Sequence, residues 1–296
     1  MEILMLGTSS MVPTKDRNHS AILIYHEKDS VLFDCGEGTQ RQMKIAGVDI
    51  NRISKIFITH WHGDHVLGLP GLIQTMCAQS YDKTLHVYGP KGTKKHFNSM
   101  LKAFEFDLRM EIQVHDCRKG KIYKSEEYDV ECLEMKHPVP TVGFALVENP
   151  KRKMNLEFMK KNRIPHGNLW SRLQNGQDVV FEGKKIASKE ATILVPGKKI
   201  TYVTDTSYCT NAVKLAENAD LLIIESTFLS EKEAKAEECD HLTAKQAALI
   251  ANNANVKKLV LTHFSQRYQT THDLEEEAKT YFAETVCAHD FMKIRV

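Results

Sequence analysis

Three histidines and an aspartate stand within six positions of one another, in the stretch Thr59-His60-Trp61-His62-Gly63-Asp64-His65. They follow Lys55-Ile56-Phe57-Ile58, a short and mainly apolar run that reads as a buried strand. Side chains alternate in extended backbone, so His60 and His62 point to the same side. Gly63 permits a sharp turn that swings Asp64 and His65 to a neighbouring position. One metal ion would sit on the first pair and a second on the other. Imidazole and carboxylate donors suit zinc, with manganese and iron as alternatives. Without metal, such a cluster would crowd titratable groups together for no gain.

A catalytic metal pair needs ligands that converge from distant parts of the chain and leave a position for water. Three further candidates end apolar or alternating runs: His137, Asp205 and His263. A workable assignment gives His60, His62 and His137 to one metal, and Asp64, His65 and His263 to the other. Asp205 bridges them, because a carboxylate offers two oxygens where an imidazole has one nitrogen free for a metal.

These residues must be delivered by strand ends. The pattern predicts strands over 2–7, 21–25, 30–33, 55–59, 85–88, 111–114, 128–135, 143–147, 199–204, 221–225, 257–261 and 291–295. Helices are expected near 40–46, 69–78, 93–104, 243–252 and 274–282. There is an internal echo: Lys55-Ile56-Phe57-Ile58-Thr59-His60 and Lys258-Leu259-Val260-Leu261-Thr262-His263 are each Lys, three apolar residues, Thr, His. Two αβ halves, each ending a strand in a ligand, would form a sandwich with the metals between their edges. The alternation is interrupted after residue 150. Between 151 and 163 stand Lys151, Arg152, Lys153, Lys160, Lys161 and Arg163 against one acid, Glu157. This reads as an inserted basic arm at about 150–189.

Composition sets wide bounds. At 296 residues, 42% hydrophobic and 26% charged, the chain is an ordinary globular protein with room for a large core. A formal charge of +2 means that any nucleic-acid surface must be local. No apolar run approaches the ~20 residues of a membrane span. Met1-Glu2-Ile3-Leu4 opens on a strand-like pattern with no signal peptide. The seven cysteines form no CxxC pair, and reduced thiols in a cytoplasm are expected.

Taken together, Asp34, the cluster from His60 to His65, His137, Asp205 and His263 resemble the motifs of the metallo-β-lactamase superfamily. Within it the chain resembles the tRNase Z (ribonuclease Z) family. That family's P-x-K-x-R-N loop has counterparts in Pro13, Lys15, Arg17 and Asn18, and its histidine before a helix in His241-Leu242-Thr243-Ala244. Its protruding tRNA-binding arm falls where the basic insertion lies. The arm's usual Gly-Pro turn is Gly167-Asn168 here.

The resemblance implies an α/β fold: an αββα sandwich of two mixed β-sheets flanked by helices, one domain over 1–296. It implies a homodimeric, cytoplasmic endoribonuclease with two Zn2+ per chain. The expected substrate is precursor tRNA, cut after the discriminator nucleotide to leave a tRNA 3′-hydroxyl and a trailer 5′-phosphate. Asp64 would orient the attacking water and accept its proton. His241 would stabilise phosphate charge or protonate the leaving 3′ oxygen. Asp34 would hydrogen-bond the ligand shell or its own turn. Lys15 and Arg17 suit phosphate and Asn18 a base edge or a turn, while the six basic arm residues would grip the folded tRNA. The alternative is another dinuclear phosphodiesterase or hydrolase of this superfamily acting on a small substrate.

Overall fold

Strands such as Glu2–Gly7, Ala21–His26 and Leu221–Glu225 are apolar at nearly every position. A strand of that kind can be satisfied only when both its faces are covered. The structure, a computed structural model describing residues 1–27 and 29–296, meets this demand with two seven-stranded sheets. The described residues divide into two compact units. One comprises Met1–Lys124, Val130–Leu146 and Lys199–Val296; the other comprises Ser125–Asp129 and Val147–Lys198.

In the first sheet the order from edge to edge is Lys293–Arg295, Glu2–Gly7, Ala21–His26, Asp29–Phe33, Ile53–Phe57, Leu85–Gly89, Ile112–Asp116. Its first four strands are antiparallel neighbours, and from Asp29–Phe33 onward the pairing is parallel. In the second sheet the order is Thr285–Cys287, Leu259–Thr262, Leu221–Glu225, Lys199–Val203, Val142–Glu148, Tyr128–Glu134, Gly120–Lys124. The strands from Lys199–Val203 to Thr285–Cys287 run parallel. This is the expected sandwich of two mixed sheets.

Aromatic side chains join the sheets face to face. Phe33 and Phe57 of the first sheet stack at 5.3 Å between ring centroids. Phe144 of the second sheet lies 5.8 Å from Phe33 and 5.3 Å from Phe57. The outer face of the first sheet is covered by helices Thr39–Ile45, Leu69–Ala78 and Thr93–Leu101, with Leu32, Ile56, Leu72, Ile73 and Met76 buried between. Helix Ala244–Asn253 starts at a capping box, in which Thr243 accepts from the Gln246 N–H and Gln246 accepts from the Thr243 N–H. It buries Ala247, Ala248, Ile250 and Ala251.

The second unit folds around a small core of its own. Lys151–Met154 pairs antiparallel with Thr192–Val195, and Val179–Phe181 with Lys184–Ile186. Helices Leu156–Lys161 and Asn168–Gln174 supply Met159 and Leu173, which pack with Ile164, Val179, Ile186 and Ala191. The sequence shows this segment only as a basic arm. Its short elements carry too few apolar residues for periodicity to separate them from loops.

Several boundaries move. The strand expected over 55–59 is Ile53–Phe57, and the one over 257–261 is Leu259–Thr262. Two edge strands, Gly120–Lys124 and Thr285–Cys287, and helix Thr210–Ala216 carry no clear period and escape a sequence reading. Phe144 is fully buried at the junction of the sheets. Phe144→Ala is expected to cost about 3–5 kcal/mol, read as a lowered urea midpoint at unchanged m-value.

Candidate active site

Parallel strands bring their carboxyl ends to one edge, where ligand sites form. Here that edge carries the chemistry of both sheets. His60 follows Ile53–Phe57, His137 follows Tyr128–Glu134, Asp205 follows Lys199–Val203 and His263 follows Leu259–Thr262. A four-residue helix, Gly63–Val66, turns Asp64 and His65 back toward them. All seven expected ligand side chains meet in two groups whose ligand atoms lie within 4.8 Å of one another.

One group is His60, His62 and His137 with Asp205. Nε2 of His60 lies 3.0 Å from Nδ1 of His62, and Nε2 of His137 lies 3.4 Å from it. Asp205 Oδ2 faces this group, 3.6 Å from His60 Nε2. The other group is Asp64, His65 and His263. Asp64 Oδ2 is 3.4 Å from Nε2 of both His65 and His263. Asp205 Oδ1 faces these two imidazoles at 3.3 Å each. The two oxygens of Asp205 thus look toward different groups, as a bridging carboxylate must.

Four of the five imidazoles have their outward nitrogen occupied. His65 Nδ1 donates to Asp34 Oδ2 at 2.8 Å, and His137 Nδ1 faces the Asp240 carbonyl at 3.2 Å. His60 Nδ1 and His263 Nδ1 meet the hydroxyls of Thr59 and Thr227, each at 3.1 Å. Such partners fix ring orientation and leave the other nitrogen free for metal. His65 Nε2 is buried with no hydrogen-bond partner among the described residues. A divalent cation fits that unmet lone pair and this His/Asp donor set. Burial alone would raise the Asp205 carboxyl, but the imidazoles of His263, His65 and His60 hold it well below the usual carboxylate range. Asp64 is pushed up by burial and pulled further down by His65 and His263. Both therefore stay ionised, as ligands need to be. The backbone is strained here: Asp34, Asp205 and His263 have φ of 55°, 49° and 60°.

The family described as Anti-Pycsar protein Apyc1 matches residues 1–156, and the beta-lactamase superfamily domain matches residues 189–264. The chain is similar to human tRNase Z, short form, at 31% identity and a TM-score of 0.74, covering 100% of this chain and 99% of that one. It is 39% identical to ribonuclease Z of Methanothermobacter thermautotrophicus over 298 residues, 100% of this chain and 97% of the relative. It is 40% identical to ribonuclease Z of Methanosarcina acetivorans over 302 residues, 100% of this chain and 98% of the relative. The chain belongs to the ribonuclease Z family.

In this ribonuclease Z family member, His241 enters the site from the turn before helix Ala244–Asn253. Its Nε2 lies 4.0 Å from Asp205 Oδ2, and with Asp205 and His263 it forms a third group within ligand distance. Its Nδ1 sits 3.0 Å from Glu225 Oε1. Glu225 is fully buried and also accepts from the Thr206 N–H at 2.7 Å, the Leu242 N–H at 3.1 Å and the Thr227 hydroxyl at 2.6 Å. Burial would lower the His241 pKa, but Glu225 and then Asp205 outweigh it and raise it to about 10. Glu225 escapes a sequence reading, although an acid closing the apolar run Leu221–Glu225 is a visible anomaly.

The cleft over these groups holds about 600 Å³ and is lined by Met11, Pro13, His19, Glu37, Leu67 and His241 among others. Its loop is anchored to the ligands: the Met11 N–H donates to Asp64 Oδ2 at 2.8 Å, and His19 Nε2 meets the Met11 carbonyl at 3.0 Å. The expected phosphate contacts in this loop divide. Lys15 is exposed, whereas Arg17 is 8% exposed and its guanidinium donates to the carbonyls of Ser265 and Tyr268. Asn18 Nδ2 donates to the Glu37 carbonyl at 2.8 Å. As placed, Arg17 and Asn18 hold the loop rather than face solvent. In the second unit Lys151, Lys153, Lys160, Lys161 and Arg163 are exposed, and Arg152 donates to the Thr192 hydroxyl. His86 and His115, which sequence spacing leaves unpaired, meet at 3.3 Å away from this centre.

Two outcomes follow from these environments. Glu225→Gln removes the anion that outweighs burial at His241, so the imidazole is expected to titrate well below the native protein, read by NMR of the ring. Asp290 accepts from the Asn18 N–H, the Thr8 hydroxyl and Gln42 Nε2. Burial raises its carboxyl to about 6 all the same. A carboxyl raised on folding contributes stability below its unfolded value near 3.8 and loses it as pH climbs through about 6. Asp290→Asn is expected to flatten the fall in urea midpoint between those values.

Proposed function

We propose that this protein is a zinc-dependent endoribonuclease that removes the 3′ trailer from precursor tRNA, leaving a tRNA 3′-hydroxyl and a trailer 5′-phosphate. The observation that carries the reading is Asp205, with one oxygen toward His60 and the other toward His65 and His263. Full-length relatives named ribonuclease Z and the likeness to human tRNase Z support it.

Two divalent cations, when bound here, would supply Lewis-acid neutralisation of the phosphate and would lower the pKa of the attacking water. His60, His62 and His137 would hold one with Asp205; Asp64, His65 and His263 would hold the other. Asp64, fixed by the Met11 N–H, would orient the water and accept its proton. His241, kept protonated by Glu225, faces the centre through Nε2 and delivers a proton to the leaving 3′ oxygen. Lys15, exposed on the loop that follows Pro13, meets the RNA backbone, and the exposed basic residues of the second unit grip the folded tRNA by backbone charge. The seven cysteines are all free, in keeping with a cytoplasmic enzyme. A homodimer belongs to the same reading, and sedimentation decides it.

Hydrolysis of a small phosphodiester at the same centre is the second reading. In its favour, the family matching residues 1–156 is not a ribonuclease Z family.

End-labelled precursor tRNA separates the two. The wild-type protein is expected to release the trailer at one position and to stop when chelator is added, with two zinc ions per chain by metal analysis. His241→Ala is expected to lower kcat by about 10²–10⁴. Lys151 pairs with Val195, so a short Gly-Ser linker can replace residues 151–195. That variant is expected to lose tRNA cleavage and keep hydrolysis of a nitrophenyl phosphodiester. Absence of tRNA cleavage in the wild-type protein favours the small substrate.

A further inference from the structure

A scissile phosphate at the metal centre belongs to a chain that must leave in two directions. The main cleft provides one way out. A second groove, of about 430 Å³, opens on the other side of His137 and Pro138, which line both. Its walls include Lys91, Arg118 and Lys119, with Glu134 as the acid among its lining residues. All three cations are exposed, and none has an ion-pair partner among the described residues. In a chain with a formal charge of only +2, three unpaired cations around one opening are a local feature.

The groove is built rather than incidental. Lys91 lies in the loop after strand Leu85–Gly89, and Arg118 and Lys119 in the loop after strand Ile112–Asp116. The two loops are tied together. The Cys117 N–H donates to the Gly89 carbonyl at 2.6 Å, and Asp116 accepts from the Gly92 and Lys94 N–H groups at 3.2 and 2.9 Å. Asp116, the acid nearest Arg118 and Lys119 in sequence, is therefore engaged by backbone. The opposite wall, Pro138-Val139-Pro140, carries two residues with no N–H and a fixed φ.

We propose that this groove receives the single-stranded trailer, with Lys91, Arg118 and Lys119 meeting its phosphates. The inference rests on the endoribonuclease reading above and adds a subsite to it. A positively charged groove that tracks the backbone is the usual way to hold unpaired RNA without reading its sequence. The size suits a short stretch of unpaired chain and not a duplex. Direction follows from His241. In that reading this residue faces the leaving 3′ oxygen of the tRNA body, so the body lies on its side of the phosphorus. His241 lines the main cleft and not the groove, which leaves the groove for the trailer.

The test uses the full-length protein and a triple variant, Lys91→Ala, Arg118→Ala and Lys119→Ala. All three side chains are exposed and outside the metal site, so nitrophenyl phosphodiester hydrolysis is expected to be unchanged, which checks the fold. Precursors with one tRNA body carry trailers of one or about ten nucleotides. KM for the long trailer is expected to rise about tenfold in the variant, and its salt dependence to lose about 2 from the log–log slope, at ~0.7 per phosphate contact. KM for the one-nucleotide trailer is expected to stay put. An equal loss on both trailers, or no loss on either, overturns the proposal. Fluorescence anisotropy with a labelled 5′-phosphorylated oligouridine reads the groove without any cleavage. About tenfold weaker binding by the variant supports the trailer site, and equal affinity overturns it. A wild-type protein that cleaves no precursor tRNA would refute the parent reading, while the anisotropy comparison still decides the groove.

Discussion

A buried carboxylate placed between two sets of imidazoles is the constraint on which this molecule is built. Asp205 is 3% exposed, and isolated in apolar surroundings its charge would be very costly. It is tolerated because His60 approaches one oxygen while His65 and His263 approach the other. Those imidazoles come from both sheets, so the edges of the two sheets must meet at one place. The aromatic packing of Phe33, Phe57 and Phe144 holds that meeting. Left-handed backbone at Asp34, Asp205 and His263 shows what the surrounding packing has to offset.

The outer contacts are as specific as the ligands. Asp34 accepts from His65, from the Thr59 N–H and hydroxyl, and from the Tyr202 hydroxyl at 3.0 Å. One turn residue therefore ties the strand before the histidine cluster to the facing sheet. Glu225 plays the corresponding part for His241, gathering Thr206, Thr227 and Leu242 around the same carboxylate. The loop with Met11 and His19 closes onto Asp64, and Asp290 fastens its far end through Asn18 and Thr8.

Local patterns in the chain carry the ligands and, through the family resemblance, Asp34, but not the other supports. His60, His62, Asp64 and His65 announce themselves by spacing, and His137, Asp205 and His263 by following apolar strands. Their convergence needed only the assumption that strand ends share an edge. Thr227, Asp240 and Asp290 are invisible in that way, because each acts on residues far away in sequence, and Glu225 shows only as an acid closing an apolar run. Arg17 shows the reverse problem. Its residue type suits phosphate, yet its surroundings turn the guanidinium onto the carbonyls of Ser265 and Tyr268. Short segments of the second unit, such as Val179–Phe181 and Lys184–Ile186, are too brief for a period to emerge.

His263 supplies its nitrogen from a strand of the second sheet, and Lys293–Arg295 closes the first sheet beside Glu2–Gly7. While the chain is being synthesised, the half that bears His60 to His65 emerges long before either partner. A nascent polypeptide at the ribosome, surrounded by RNA, would thus carry only a fragment of the cutting apparatus.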